Sequence, residues 1–157
     1  MPGQEGLRGD GGQQAPGGDS YAWYRRGLDL LSRGSPAAAA ELLVRAAEAE
    51  PGARSIREAL ARAQFDAGRY AQAADNFRQN VEAIPSDDYA HFGLGLALAR
   101  SGDPAAAAEH LALAAAMRPE LAHYPEALRG VRATLAARTQ AGAGAPPGSA
   151  PDGDEPR

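Results

Sequence analysis

The chain repeats itself every 34 residues. Glycine recurs at Gly34, Gly68 and Gly102, and proline at Pro51, Pro85 and Pro119. A fixed period of this length means one supersecondary unit stacked on copies of itself, each burying its apolar face against its neighbours. Residues 34–51 (GSPAAAAELLVRAAEAEP) and 102–119 (GDPAAAAEHLALAAAMRP) lie two periods apart. The middle copy, 68–85, keeps the glycine, Ala73, a bulky Phe77 and the closing proline. Ala, Leu and Arg, all strong helix formers, dominate between these punctuation marks. No alternating β-branched run suggests a strand. Each period therefore reads as two helices, with an αL turn at the glycine and a stop at the proline. Ser35-Pro36 and Asp103-Pro104 read as an N-cap followed by a first-turn proline. Ser86 is expected to cap the third hairpin.

The pattern resembles the tetratricopeptide repeat, W-x2-L-G-x2-Y followed by A-x3-F and P. The first copy offers Trp23, Arg26, Gly27, Leu30, Ala39, Leu43 and Pro51. The second offers Arg57, Leu60, Ala61, Gln64, Ala73, Phe77 and Pro85. The third offers His91, Leu94, Gly95, Leu98, Ala107, Leu111 and Pro119. Arg26, Arg57, Gln64 and His91 depart from it. The resemblance implies an all-α fold, an α-solenoid of three helical hairpins with a solvating C-terminal helix. Gly27, Ala61 and Gly95 are expected to face Ala39, Ala73 and Ala107, so that paired helices approach closely.

The domain is assigned to 20–140, with repeats 20–53, 54–87 and 88–121 and a capping helix at 122–140. Of the 31 Gly and Pro residues, 17 fall in 1–19 and 141–157. These ends have little apolar surface to bury and are expected to be disordered tails. The inter-hairpin stripe is Ile56, Leu60 and Ala63 in the second copy and Ala90, Leu94 and Ala97 in the third. The same slots of the first copy hold Ala22, Arg26 and Asp29, so Arg26 and Asp29 are expected to mark the array's start. The last helix carries the stripe Leu121, Tyr124, Leu128, Val131 and Leu135 at helical spacing. Its outer slots hold Pro125, Arg129 and Arg132, expected to mark an end. Pro125 fits either a first turn or a kink.

Members of the family bind partners in a concave groove lined by the first helix of each hairpin. Helical steps of three and four give the groove-facing slots. They are Tyr21, Tyr24, Leu28 and Ser32 in the first copy and Ser55, Glu58, Arg62 and Asp66 in the second. The third copy gives Tyr89, Phe92, Leu96 and Arg100, and the last helix His123, Glu126 and Gly130. Leu31 and Phe65 are assigned to the core. The family's carboxylate clamp, which grips acidic chaperone tails, needs Lys, Asn and Arg where this chain has Tyr24, Leu28, Tyr89 and Gly93. The expected groove is aromatic and apolar at both ends around the charged centre Glu58, Arg62 and Asp66.

Composition narrows the function classes. The formal charge of -4 sits in the two ends, and 20–140 sums to zero. A neutral body without a basic stripe argues against nucleic acid, whose phosphates dominate such affinity. Every basic residue is Arg, which with the abundant Ala, Gly and Pro reads as a GC-rich bacterial coding bias. The longest apolar run, 111–117, is far below the roughly 18–20 residues of a membrane span. There is no Cys, and His91, His110 and His123 lack metal-ligand spacing. No metal or cofactor is expected. No nucleophile elbow, phosphate loop or dinucleotide fingerprint appears, so no enzyme is expected. Asp87-Asp88 suits the positive end of a helix. The expected function is a cytoplasmic, monomeric protein-interaction module that binds a peptide or helix of another protein. The alternative is a dedicated chaperone of a secreted or assembled client. The Gly-rich N-terminus lacks the self-association helix usual in such chaperones.

Overall fold

The computed structural model describes residues 16–144. Seven helices and no strand occur among them: α1 (Pro16–Ser32), α2 (Pro36–Ala49), α3 (Arg54–Asp66), α4 (Tyr70–Ala83), α5 (Asp88–Arg100), α6 (Pro104–Met117) and α7 (His123–Ala143). Each helix packs on the next, giving three hairpins and a last helix. The odd-numbered helices also touch one another, α1 on α3, α3 on α5 and α5 on α7. The even-numbered helices do not. The stack therefore bends with α1, α3, α5 and α7 on its inner, concave side.

Two turn types repeat. Gly34, Gly68 and Gly102 adopt φ of +74°, +78° and +95°, a region that L side chains avoid. Each closes a Schellman motif. In the first, Ser35 N–H donates to the Leu30 carbonyl at 2.9 Å and Gly34 N–H to Leu31 at 3.0 Å. The second turn carries the proline. Ala53, Asp87 and Leu121 N–H groups donate to Glu50, Ile84 and Arg118 carbonyls three residues back, at 3.0, 3.0 and 3.1 Å.

Capping differs from the expectation in one place. Asp87, not Ser86, caps α5, and its carboxylate accepts from Ala90 N–H at 3.0 Å. Asp103 does the same for Ala106 at 3.1 Å, whereas Ser35 makes no side-chain cap bond. A carboxylate is the stronger acceptor beside the positive helix end. The tail boundaries also move. Pro16 to Asp19, read above as tail, form the first turn of α1, where Asp19 faces the helix dipole favourably. The last helix starts at His123 and runs to Ala143, past the expected limit at 140. Pro125 lies in its first turn. Residues 1–15 and 145–157, the rest of the expected tails, lie outside the described residues.

The core is made where successive hairpins meet. Ile56, Leu60, Ala63, Ala90, Leu94 and Ala97, the expected stripes, are all buried. Tyr124, Leu128 and Val131 of α7 are buried against α5 and α6, and Leu121 and Leu135 are half-buried. Arg26 is exposed and pairs with Asp29 at 3.0 Å, which also binds Arg33 at 2.9 Å. Arg129 and Arg132 are exposed. The close helix approaches are sharper than expected. A Cβ on Gly27 would lie 2.5 Å from Leu43 Cγ, and one on Gly95 2.6 Å from Leu111 Cγ. The main partner of these glycines is thus the leucine rather than the alanine. Phe77 occupies the leucine's slot in the second copy, and its ring sits against Gly93, where a Cβ would lie 2.5 Å away.

The departures from the repeat pattern have local causes. Arg57 donates to the Pro51 carbonyl, and to Asn80 Oδ1 at 3.1 Å. His91, one period later, meets the Pro85 carbonyl at 2.9 Å. Both polar replacements tie the hairpin to the turn before it. Gln64 is buried and accepts from Asn76 at 2.8 Å.

Candidate binding groove

The inner face carries a cleft of about 280 Å³ between α3 and α5. Phe65, Phe77, Tyr89, Phe92, Gly93 and Leu96 form its walls, and Arg62 and Asp66 its polar edge. Helical spacing explains the set. Residues 62, 65 and 66 share one face of α3, and 89, 92, 93 and 96 share one face of α5. Phe77 reaches in from α4 because Gly93 leaves room for its ring. Arg62 and Asp66 are exposed, while Tyr89, Phe92 and Leu96 are half-buried.

Five expected groove residues meet in this cleft: Arg62, Asp66, Tyr89, Phe92 and Leu96. The others do not line it. Tyr21 is 62% exposed on α1. Tyr24 and Leu28 pack on the core of the first two hairpins. Arg100 lies over the rings of Phe65 and Tyr70 and donates to the Tyr70 hydroxyl at 3.2 Å. His123 and Glu126 are exposed on α7. His123 meets the Phe92 ring edge-on at 5.2 Å.

Two expectations change. The centre of the inner face is not simply charged, because Arg62 and Asp66 rim an apolar cavity. Phe65 packs against the core as assigned, but it is half-buried and also forms one wall. Phe65, Phe77 and Gly93 are wall residues that the expected set omits. A glycine inside a helix, 16 residues after a bulky residue in the facing copy, was the available signal for the last two. Phe92 also has a structural role, since it stacks on Tyr124 with centroids 4.6 Å apart. The Tyr124 hydroxyl donates to Asp88 at 2.8 Å, and burial with this bond raises the phenol's pKa.

Charge is not balanced passively along α3. Burial raises the Glu58 pKa, the nearby Asp87 raises it further, and Arg62 and Arg54 oppose this. Tyr89 is raised mainly by burial. Among the described residues no cluster of three or more His, Cys, Asp or Glu could hold a metal ion. The cleft offers apolar contact and two opposite charges. That suits a bulky apolar side chain flanked by polar backbone.

Comparison with known proteins identifies the fold and the family. Comparison with curated proteins gives no match. Solved structures with the same fold include the second such domain of human RPAP3 in complex with an HSP70 peptide, SGPTIEEVD. It has 18% identity, 75% of this chain and 98% of that chain covered, and a TM-score of 0.69. The C-terminal domain of a putative FK506-binding protein of Plasmodium falciparum has 15% identity, 80% and 93% coverage, and a TM-score of 0.73. The Sgt2 domain from Aspergillus fumigatus has 19% identity, 87% and 91% coverage, and a TM-score of 0.70. The family description "tetratricopeptide repeat" matches residues 24–88 and 58–122, well over half of the sequence. The chain belongs to the tetratricopeptide repeat family.

Proposed function

We propose that the chain is a protein-interaction module, an adaptor, scaffold or assembly factor. It holds a peptide or helix of a partner on the concave face, anchored by one bulky apolar side chain in the α3–α5 cleft. The observation that carries this reading is the open, aromatic-walled cavity of about 280 Å³ rimmed by Arg62 and Asp66. Aromatic pockets on a rigid helical frame supply binding hot spots, and a helix or strand laid in a groove is a recurring mode of recognition. Tyr21, Tyr24 and Leu28 at one end, and His123 and Glu126 at the other, extend the surface along the inner face. The reading involves no catalytic step.

Acidic chaperone tails are not the ligand in this reading. The peptide bound by the human RPAP3 domain ends in Glu-Glu-Val-Asp. Such an end would meet Asp66 at the rim and Glu58 beside it, with Arg62 as the nearby cation. No helix among the described residues is long and apolar enough to cross a membrane. A cytoplasmic monomer is part of the same proposal.

Selection from a displayed library of random peptides tests it. Peptides with a conserved aromatic or large aliphatic position are expected to win. Leu96→Glu is expected to weaken them at least about tenfold, equivalent to about 1.4 kcal/mol, with the helical circular dichroism spectrum unchanged. Binding that survives Leu96→Glu in the folded protein, or selection of acidic C-termini, overturns the reading.

A further inference from the structure

His91 and His110 form a hydrogen-bonded pair between α5 and α6, away from the cleft. Their Nδ1 atoms are 3.0 Å apart, and the rings stack with centroids 5.3 Å apart. His91 is only 4% exposed, and its Nε2 lies 2.9 Å from the Pro85 carbonyl oxygen. A carbonyl can only accept, so Nε2 of His91 carries a proton. The neutral His91 ring then presents a bare Nδ1. His110 must therefore donate its Nδ1–H to it. The contact has room for one proton between the two Nδ1 atoms. A second, on Nδ1 of His91, would set two N–H groups head to head across 3.0 Å.

The neighbours shape how the pair responds. Glu109 beside it on α6 favours charge, whereas Arg78 on α4 opposes it. Burial first, and then His91, lower the pKa of His110 below its ordinary 6.5. The unfolded chain protonates His110 near its ordinary pKa and the folded chain only below it, so stability must fall as the pH drops through that value. A proton taken up by Nε2 of half-exposed His110 leaves the Nδ1 bond in place, whereas one on Nδ1 of buried His91 breaks it.

We propose that His91 and His110 act as an acid-sensitive latch. One Nδ1 proton shared between them fixes α5 on α6 at neutral pH, and a proton forced onto Nδ1 of His91 in acid breaks the bond and loosens α5. This matters because α5 also carries Tyr89, Phe92 and Leu96, so the cleft wall would respond to mild acid. The same slot one period earlier holds Arg57 in place of a histidine, so among the described residues the device belongs to the α5 hairpin. The latch itself does not depend on the binding role proposed for the cleft.

The test compares the wild type with the double variant His91→Gln/His110→Asn, which keeps hydrogen-bonding groups but cannot charge. Between pH 7.5 and 5.0 the wild type is expected to lose about 4 °C or more of Tm beyond the loss in the variant. The effect amounts to up to about a tenfold smaller folding constant per pH unit for each proton withheld. Amide signals of 89–96 are expected to shift over the same range in the wild type only. Equal pH profiles in the two proteins overturn the proposal. Should the variant not fold, imidazole nitrogen spectra of the wild type decide. Nε2–H on His91 with Nδ1–H on His110 supports the latch, and two rings titrating independently near 6.5 refute it.

Discussion

Gly95→Ala and Gly130→Ala are the same chemical change, made in two interior turns of helices, and they should have opposite signs. In an open helix the change stabilises by about 0.5–1 kcal/mol, because alanine loses less backbone entropy on folding than glycine. At Gly130 a Cβ meets nothing within 4 Å, so that gain should appear in full. At Gly95 the new atom would lie 2.6 Å from Leu111 Cγ, 2.9 Å from its Cδ2 and 3.1 Å from the Ala107 backbone carbonyl. Leu111 is fully buried, and the carbonyl belongs to the α6 backbone, so neither can step aside without displacing α6. Overpacking of this kind costs about 1–3 kcal/mol. Set against the propensity gain, Gly95→Ala should lose about 1–2 kcal/mol. The two variants should then differ by about 2–3 kcal/mol in urea unfolding followed by circular dichroism, with a similar m-value. A double-mutant cycle identifies the cause. Leu111→Ala alone should cost about 2–5 kcal/mol, and in that background Gly95→Ala should become neutral or favourable. A Gly95→Ala protein as stable as Gly130→Ala, or a cost unchanged in the Leu111→Ala background, would refute the close-approach argument.

Two further outcomes follow from local geometry. Asp103→Ala should cost about 0.5–2 kcal/mol by removing the bond to Ala106 N–H, while Ser35→Ala, at the equivalent cap without such a bond, should cost no more than a few tenths; thermal unfolding of both separates the carboxylate's cap from mere position. Glu58→Gln should raise Tm at pH 7 and lose that advantage near pH 4. Its pKa is raised in the fold, so the neutral form is the favoured one and the charged form costs stability as pH rises through the folded value. A Tm difference that is flat across this range would contradict the assignment.

The 34-residue period determined the helical hairpins, their order and the stripes that pack between them. This is because glycine with positive φ and proline at a turn act locally, at the positions where they stand. The register then placed Arg62, Asp66, Tyr89, Phe92 and Leu96 on the inner face, since side-chain direction on a helix follows from spacing alone. Tertiary structure decided what those faces meet. The α3–α5 cleft exists because Phe77 leans into the space left by Gly93, a contact between two copies that spacing within either copy does not encode. Phe65 packs on the core as assigned and also forms a wall of the cleft. Asp87 displaced Ser86 as a cap because both could start a helix and only the assembled turn chose between them. The His91–His110 pair was the furthest from the sequence: two histidines 19 residues apart carry no motif, and only the packing of α5 on α6 brings their Nδ1 atoms to 3.0 Å. Repetition fixes what every copy shares, whereas the differences between copies take on meaning only where one copy packs against the next.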